Sequence, residues 1–284
     1  MIPQANITAW RARAPWADDA QVEQDLVLSR AAVELFADDA LTGKIALRGG
    51  TSLHKLFFHP PHRYSEDIDL VQIQAGPIGS VIDTIRGNLD PWLGKPIRER
   101  GLGAVTLKYR FESEIPPVRP MKLKIEINTR EHFVLLGLNQ LEFAVTNPWF
   151  TGECKIATFQ IDELLATKLR ALYQRRKGRD LFDLWLCLEQ RLIDPQRLVD
   201  CFLEYMDREG HTLTRAQFEQ NLHDKESDTA FLSDMRPLLR PGLNYDAAVA
   251  LSTVRKALVE RLPGDPWRGP AVEKSTKSDR RKKG

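Results

Sequence analysis

The sequence predicts an α+β (α/β) fold in which helices flank a mixed β-sheet and a C-terminal helical region follows. Several short segments before residue 160 alternate apolar and polar residues, as half-buried strands do. From residue 160 to about residue 262 the apolar spacing is instead helical. We therefore predict an α/β domain over residues 1–159 and a helical domain over residues 160–262, with a binding cleft between them.

The first elements are a helix, a short strand and a second helix. Residues 20–38 space their apolar positions like a helix, and residues 44–50, KIALRGG, are typical of a buried strand that ends in two glycines. Residues 51–58 predict a helix for which Thr51 or Ser52 is the N-cap.

The next segments complete the predicted sheet. Residues 67–73, DIDLVQI, alternate like a strand, and residues 77–93 predict a helix. Residues 104–113 and 121–130 are two alternating strands around a Pro-rich loop, which predicts a hairpin. Residues 153–159 predict one more strand.

The composition is that of an ordinary globular protein, with 42% apolar and 28% charged residues. No run of 18 apolar residues is present, so we expect no membrane span, and the N-terminus lacks the apolar core of a secretory signal. The three cysteines have no CxxC spacing, which disfavours a disulfide framework or a zinc site. We expect a reducing, cytoplasmic location.

The net charge of +2 is unevenly distributed. The last eleven residues, KSTKSDRRKKG, carry a net charge of +5, whereas the other 273 residues have 35 basic and 38 acidic side chains. Residues 263–284 therefore predict a disordered basic tail, either a nucleic-acid arm or a solvated terminus. The rest of the chain is not a generally basic surface of the kind that coats DNA.

Two glycines and two aspartates form the first candidate site. A strand that ends in Gly49–Gly50 and enters a helix exposes backbone N–H groups that can bind an anion, although glycines there are usually turn residues. Asp67 and Asp69, two apart on a strand, point to the same face. Such a pair repels itself unless a cation joins it, and oxygen ligands favour Mg²⁺ or Mn²⁺.

Two further polar residues belong near this pair. Glu126 lies between buried isoleucines, and if its strand neighbours the Asp67 strand it completes a three-carboxylate metal site. The alternative, an exposed glutamate paired with Lys124, is equally consistent with the sequence. Ser65 shares the strand face of Asp67 and Asp69, which predicts a phosphate contact or a modification that silences the protein.

The helical half supplies the candidate cations. Lys168 lies at the margin of a buried helix face, from which a lysine can reach a phosphate. Arg179 and Asp180 follow Gly178 in an otherwise apolar segment, and Asp180 and Asp183 share a helix side. We predict that Asp180 orients Lys168 or Arg179 at the cleft. Residues 175–177 are typical of a solvated basic face.

These motifs together resemble the AbiEii/AbiGii toxin family of the polymerase-beta-like nucleotidyltransferase superfamily. LRGGTSLHKLF followed by RYSEDIDLV is similar to the family's opening motifs. The superfamily pattern is a strand, two small residues, DxD and a later lone carboxylate. The positions that match it are Gly49, Gly50, Asp67, Asp69 and Glu126, and Lys168, Arg179 and Asp180 match the later motifs. The resemblance runs from about Leu47 to Trp185, and the C-terminal helices match no motif.

The resemblance implies a nucleotidyltransferase-like sheet and a toxin of a toxin–antitoxin or phage-defence system. Such a toxin would transfer a nucleotide from an NTP to an RNA, with the tRNA 3′ end as the expected acceptor, and its antitoxin would be a winged-helix repressor encoded nearby. In this assignment Asp67, Asp69, Lys168 and Asp180 are catalytic. The nucleotide is bound by Gly49, Gly50, Thr51, Ser65, Lys168 and Arg179, and the metal by Asp67, Asp69 and Glu126.

Three alternatives stay open. The acceptor of the same chemistry can be a protein or a small molecule. A metal-dependent nuclease would use Asp67 and Glu126, but such enzymes usually place a lysine where this chain has Asn128. A non-catalytic nucleotide- or RNA-binding module is the third, which the intact acidic residues disfavour.

Overall fold

The central sheet is mixed and has seven strands in the part of the chain, residues 2–269, that the computed structural model describes. The strands are β1 Ile45–Arg48, β2 Asp67–Gln72, β3 Ile97–Gly101, β4 Ala104–Glu112, β5 Pro120–Asn128, β6 Leu138–Asn147 and β7 Phe150–Phe159. Their order across the sheet is β3-β4-β5-β2-β1-β7-β6. Strand β2 is parallel to β5 and antiparallel to β1, which is parallel to β7; the remaining pairs are antiparallel.

Helices precede, interrupt and follow the sheet. They are α1 Gln4–Trp10, α2 Asp19–Phe36, α3 Gly49–Ser52, α4 Gly79–Leu93, α5 Ile161–Gln174, α6 Gly178–Glu189, α7 Pro195–Arg208, α8 Arg215–Glu226, α9 Thr229–Ser233 and α10 Ala247–Ala257. Helix α3 continues as the π-helical segment Leu53–Phe57. The mixed sheet and the helical C-terminal part confirm the predicted fold class.

The two faces of the sheet bury different sets of residues. On the first face, α2 and α4 pack over alternate residues of the strands, among them Leu107 and Ile125, in one apolar core. On the second face, the helices from α5 onward pack over Ala46, Val71 and Phe159, which come from β1, β2 and β7. Strands β3–β5 contribute no residue to this second core. Helices therefore cover the second face only in part, and the open part begins beside β2.

The structure confirms the predicted hairpin and corrects some local details. Strands β4 and β5 pair along their whole length, from Ala104 opposite Asn128 to Glu112 opposite Pro120. The prediction that Thr51 or Ser52 caps a helix is wrong, because α3 already begins at Gly49 and no side chain caps it. Three further elements, α1, β3 and β6, were not predicted from the sequence.

No helix among residues 2–269 combines the length and apolarity needed to cross a membrane. Most of the predicted basic tail, residues 270–284, lies outside the described residues.

Candidate active site

Three carboxylates lie side by side on the second face of the sheet. Asp67 and Asp69 alternate along β2 with Ile68 and Leu70, which are buried in the first core. The parallel pairing of β2 with β5 places Glu126 directly opposite Asp69. The two strands thus bring the predicted acidic residues to one edge of the covered region.

A lysine lies among these carboxylates. Lys124, opposite Asp67 on β5, places its Nζ 2.8 Å from Glu126 and 3.7 Å from Asp67. Glu126 thus forms the ion pair that the sequence left open as its alternative role. Within residues 2–269, no three His, Cys, Asp or Glu side chains are close enough together to hold a metal ion.

The surroundings of Asp67 favour a cation at this position. Burial raises the pKa of Asp67 to about 6, and the charge of Asp69 raises it further while Lys124 lowers it. The protein therefore holds a carboxylate that is destabilised when ionised and is compensated by one ammonium group at 3.7 Å. Oxygen ligands of this kind fit Mg²⁺ or Mn²⁺, and Asp67 and Asp69 are the residues that would bind it.

The glycine turn before α3 approaches the second aspartate closely. Gly49 has a φ of +80°, and a Cβ atom at this position would lie 1.9 Å from Asp69 Oδ2. A Cβ atom on Gly50 would lie 2.2 Å from the guanidinium of Arg63. Both positions therefore require glycine for lack of space, and Gly49 also for its backbone conformation.

Thr51 and Ser65 connect this turn to the start of β2. The Thr51 hydroxyl lies 2.8 Å from Ser65 Oγ and also contacts the backbone oxygen of Asp67. Ser65 is half-buried beside the acidic strand. Thr51 thus fixes the position at which β2 begins, and Ser65 lies at the edge of the site.

Below the turn lies a buried network of charges that joins the two parts of the chain. Arg63, 1% exposed, donates two hydrogen bonds of 2.7 Å to Asp183. Lys168 Nζ lies 3.1 Å from Asp183 and 3.3 Å from Asp180. Arg175 donates to Asp180 at 2.8 and 3.0 Å. Because burial alone would raise the pKa values of both aspartates, these cations are what hold those values below the ordinary range.

This network contains one of the two contacts predicted for Asp180, and it changes the expected role of Arg175. Asp180 contacts Lys168 and Arg175, whereas Arg179 contacts Asp234, with its backbone N–H 3.2 Å from that carboxylate. The charge of Arg179 still reaches Asp67, where it lowers the carboxyl pKa. Arg175 does not belong to a merely solvated face, since it bonds to a fully buried carboxylate while remaining half exposed.

A buried histidine completes the network. His54 Nε2 lies 3.0 Å from Asp183 Oδ1, and its Nδ1 is buried with no hydrogen-bond partner among the described residues. Burial and the neighbouring charge of Arg63 lower the pKa of His54 to about 4. The ring is therefore neutral at physiological pH, and its contact with Asp183 joins the π-helical segment to α6.

A cleft of about 210 Å³ opens between the sheet edge and α5. Asp69, Glu126 and Arg48 line the wall that the sheet forms. The wall formed by α5 and the residue after it is cationic, with Lys168, Arg170 and Arg175.

Glu131 fixes two of the cleft's arginines. It forms an ion pair with Arg48 and accepts from Arg170 at 2.7 Å. Arg170 also bonds to Glu209 at 2.7 Å. The sequence offered no sign of Arg48 or Arg170 as site residues, because their carboxylate partner lies far away along the chain.

Comparisons with known proteins identify the family and the fold of this chain. A family model described as "Nucleotidyl transferase AbiEii toxin, Type IV TA system" matches residues 30–253. Among solved structures, the chain is similar to MenT4, a nucleotidyltransferase toxin from Mycobacterium tuberculosis H37Rv, with a TM-score of 0.66 and 18% identity over 93% of this chain and 91% of that one. It is also similar to a protein from H. pylori described as a nucleotidyltransferase, with a TM-score of 0.56 and 18% identity over 86% and 97% of the two chains. No curated protein matches the sequence.

Proposed function

Because this chain belongs to the AbiEii family of nucleotidyltransferase toxins of type IV toxin–antitoxin systems, we propose that it transfers a nucleoside monophosphate from an NTP to the 3′ end of an RNA. A tRNA is the acceptor we propose. The observation that carries this proposal is the cleft in which Asp69 and Glu126 face Lys168 and the cleft's arginines. Carboxylates that hold a cation and a cationic wall that binds phosphates are the two requirements of nucleotidyl transfer.

In the proposed reaction, the 3′ oxygen of the acceptor attacks the α-phosphorus of the NTP. A phosphorus–oxygen bond to the RNA forms, the bond to pyrophosphate breaks, pyrophosphate leaves with the electron pair, and the hydroxyl proton passes to water. Mg²⁺ or Mn²⁺, when bound, neutralises charge that develops on the phosphoryl oxygens. Asp67 and Asp69 would hold it, and Glu126, which lies opposite Asp69, would become a third ligand if its ion pair with Lys124 opened.

The triphosphate occupies the cationic side of the cleft in this proposal. Asp180 and Asp183 hold Lys168 at a fixed position, so its charge needs no rearrangement when a phosphate binds. Arg175 is held by Asp180 in the same way and is half exposed, which leaves part of its guanidinium free for an anion. The backbone N–H groups of Gly49 and Gly50 are further donors beside the carboxylates. Arg179, Thr51 and Ser65 lie close to Asp67, beside the bound nucleotide in this proposal.

The two parts of the chain have separate tasks in this proposal. Residues 1–159 supply the carboxylates and Arg48, and residues 160–262 supply the other cations of the cleft, Lys168, Arg170 and Arg175. The antitoxin that the family implies is, we propose, a winged-helix repressor encoded nearby.

Incubation of the purified protein with each of the four labelled NTPs and total RNA tests the proposal. We expect label in RNA with Mg²⁺ or Mn²⁺, and none with EDTA. Label in protein or in a small molecule instead would overturn the RNA acceptor while leaving the chemistry. Absence of transfer from every NTP would overturn the proposal itself.

A further inference from the structure

The second face of strands β4 and β5 carries four basic side chains in two opposed pairs. Lys108 lies opposite Lys124, and Arg110 lies opposite Lys122. In both strands the intervening residues are buried in the first core, so the four basic side chains share the second face. We name this set, Lys108, Arg110, Lys122 and Lys124, the β4–β5 basic surface.

Among residues 2–269, the C-terminal helices do not pack their apolar core over this surface. The apolar core of the C-terminal helices takes residues from β1, β2 and β7 and none from β3–β5. Arg110 and Lys122 are accordingly exposed, and Lys108 and Lys124 are partly so. The surface is therefore open to a partner.

The charges at one end of the surface are uncompensated. Lys108 pairs with Glu99 at 2.6 Å and Lys124 pairs with Glu126 at 2.8 Å. Arg110 and Lys122 form no side-chain hydrogen bond or ion pair with any residue in the range 2–269, although Glu66 and Glu112 border the same concavity. Like charges directly opposite each other on neighbouring strands destabilise a sheet. Such a pair gains stability from a bound polyanion.

The surface lies next to the carboxylates, on the side away from the cleft. Along β5, Glu126 lies opposite Asp69, Lys124 lies opposite Asp67, and Lys122 is one further step of about 6.8 Å along the strand. A concavity of about 730 Å³ lies between the ends of these strands and α2, and Gln21 and Gln24 of α2 line it together with Arg110 and Lys122. The acidic residues thus separate two basic regions, the cleft with Lys168 and the β4–β5 basic surface.

We infer that the β4–β5 basic surface binds the backbone of the single-stranded 3′ end of the RNA acceptor; this inference rests on the proposed nucleotidyl transfer. The attacking and leaving oxygens of phosphoryl transfer lie roughly in line, on opposite sides of the phosphorus. With the triphosphate in the cleft, the acceptor enters from the other side of the carboxylates, where this surface lies. A single strand carries one negative charge per nucleotide, and a positive surface that follows the backbone is the usual means of binding it.

The double variant Arg110→Gln/Lys122→Gln tests the inference. Its matched control is Arg98→Gln/Arg100→Gln, which removes two exposed arginines from the opposite face of neighbouring β3. The measurements are fluorescence anisotropy of a 5′-labelled single-stranded RNA at several salt concentrations, and the KM values for RNA and for NTP. The slope of log affinity against log salt is negative, and each lost phosphate contact makes it shallower by about 0.7, so two lost contacts make it shallower by about 1.4.

Between about 50 and 200 mM salt, the factor by which RNA affinity falls should be about sevenfold smaller for the double variant than for the parent. The variant should also have a higher KM for RNA and an unchanged KM for NTP. The control should behave as the parent does. A variant with the parent's salt slope and KM for RNA would overturn the inference, as would a parent that binds no RNA or labels only protein. Anisotropy needs no NTP, so a parent that binds RNA with the expected difference but transfers nothing would overturn only the proposed function.

Discussion

Replacement of Gly49 by alanine should damage the site far more than the fold. Gly49 has a φ of +80°, and the left-handed conformation costs a residue with a Cβ atom about 1–2 kcal/mol. The new Cβ would lie 1.9 Å from Asp69 Oδ2, whereas contacts below 3.0 Å essentially never occur, so the Asp69 carboxylate must move by about 1 Å. A misplacement of that size costs about a hundredfold in rate.

Gly43 provides the matched control for this substitution. Its φ of +72° gives alanine the same backbone strain, but a Cβ there would meet nothing within 4 Å. Urea unfolding should therefore show a loss of about 1–2 kcal/mol for Gly43→Ala. The loss for Gly49→Ala should be at least as large, because displacing Asp69 adds to the backbone strain. Single-turnover incorporation of labelled NTP, normalised to folded protein, should fall only for Gly49→Ala. Equal rates for the two variants would refute the idea that Gly49 makes room for a working Asp69.

Three other perturbations address the buried network and the edge of the site. Asp183→Asn removes the partner of the buried Arg63 and should cost about 3–5 kcal/mol in urea unfolding, against less than about 0.5 kcal/mol for Glu204→Gln in an exposed helix pair; a small loss for Asp183→Asn would contradict the buried pairing. His54 has a folded pKa of about 4 against an ordinary 6.5, so the unfolded chain takes up the proton first and stability falls by about 3 kcal/mol as pH decreases through that window. The measurement is the unfolding free energy of the parent and of His54→Phe across this pH range. The difference between the two proteins should decline as the pH falls, and a constant difference would contradict this prediction. Ser65→Glu adds negative charge beside Asp67 and should raise the KM for NTP relative to Ser65→Ala; equal KM values would remove Ser65 from the nucleotide site.

The parts of the fold that sequence patterns predicted are those with a local signal. Strand β5 alternates buried residues with more accessible ones, and β2 does so from Asp67 to Leu70. That alternation predicts that Asp67, Asp69 and Glu126 each point away from the buried isoleucines, whereas the pairing of the two strands had no local signal. Strand β3 has no buried residue at all, so IRERG gives no periodicity to detect. Strand β6 does alternate around Phe143 and Val145, so its sequence carried a local signal that was not used in the prediction.

The residues of the site that were missed depend on contacts between distant parts of the chain. Arg63 binds Asp183 across 120 positions, and Arg48 binds Glu131 across 83. Nothing near Arg63 in the sequence distinguishes it from an exposed loop arginine. Only the tertiary structure, which places Arg63 between Asp183 of α6 and Gly50, makes it a buried ion-pair partner and explains the glycine at position 50.

The most direct test of the proposed chemistry is NTP incorporation by an Asp69→Asn variant. Asparagine keeps the size of the side chain and removes the charge that would bind the metal ion, so the fold should persist while transfer falls by at least about a hundredfold. The measurement is the rate of labelled NMP incorporation into RNA with Mg²⁺, alongside thermal melting of both proteins. An unchanged melting temperature with incorporation reduced by that factor is the predicted result. Incorporation by Asp69→Asn at the rate of the parent would contradict a carboxylate-bound metal at this site.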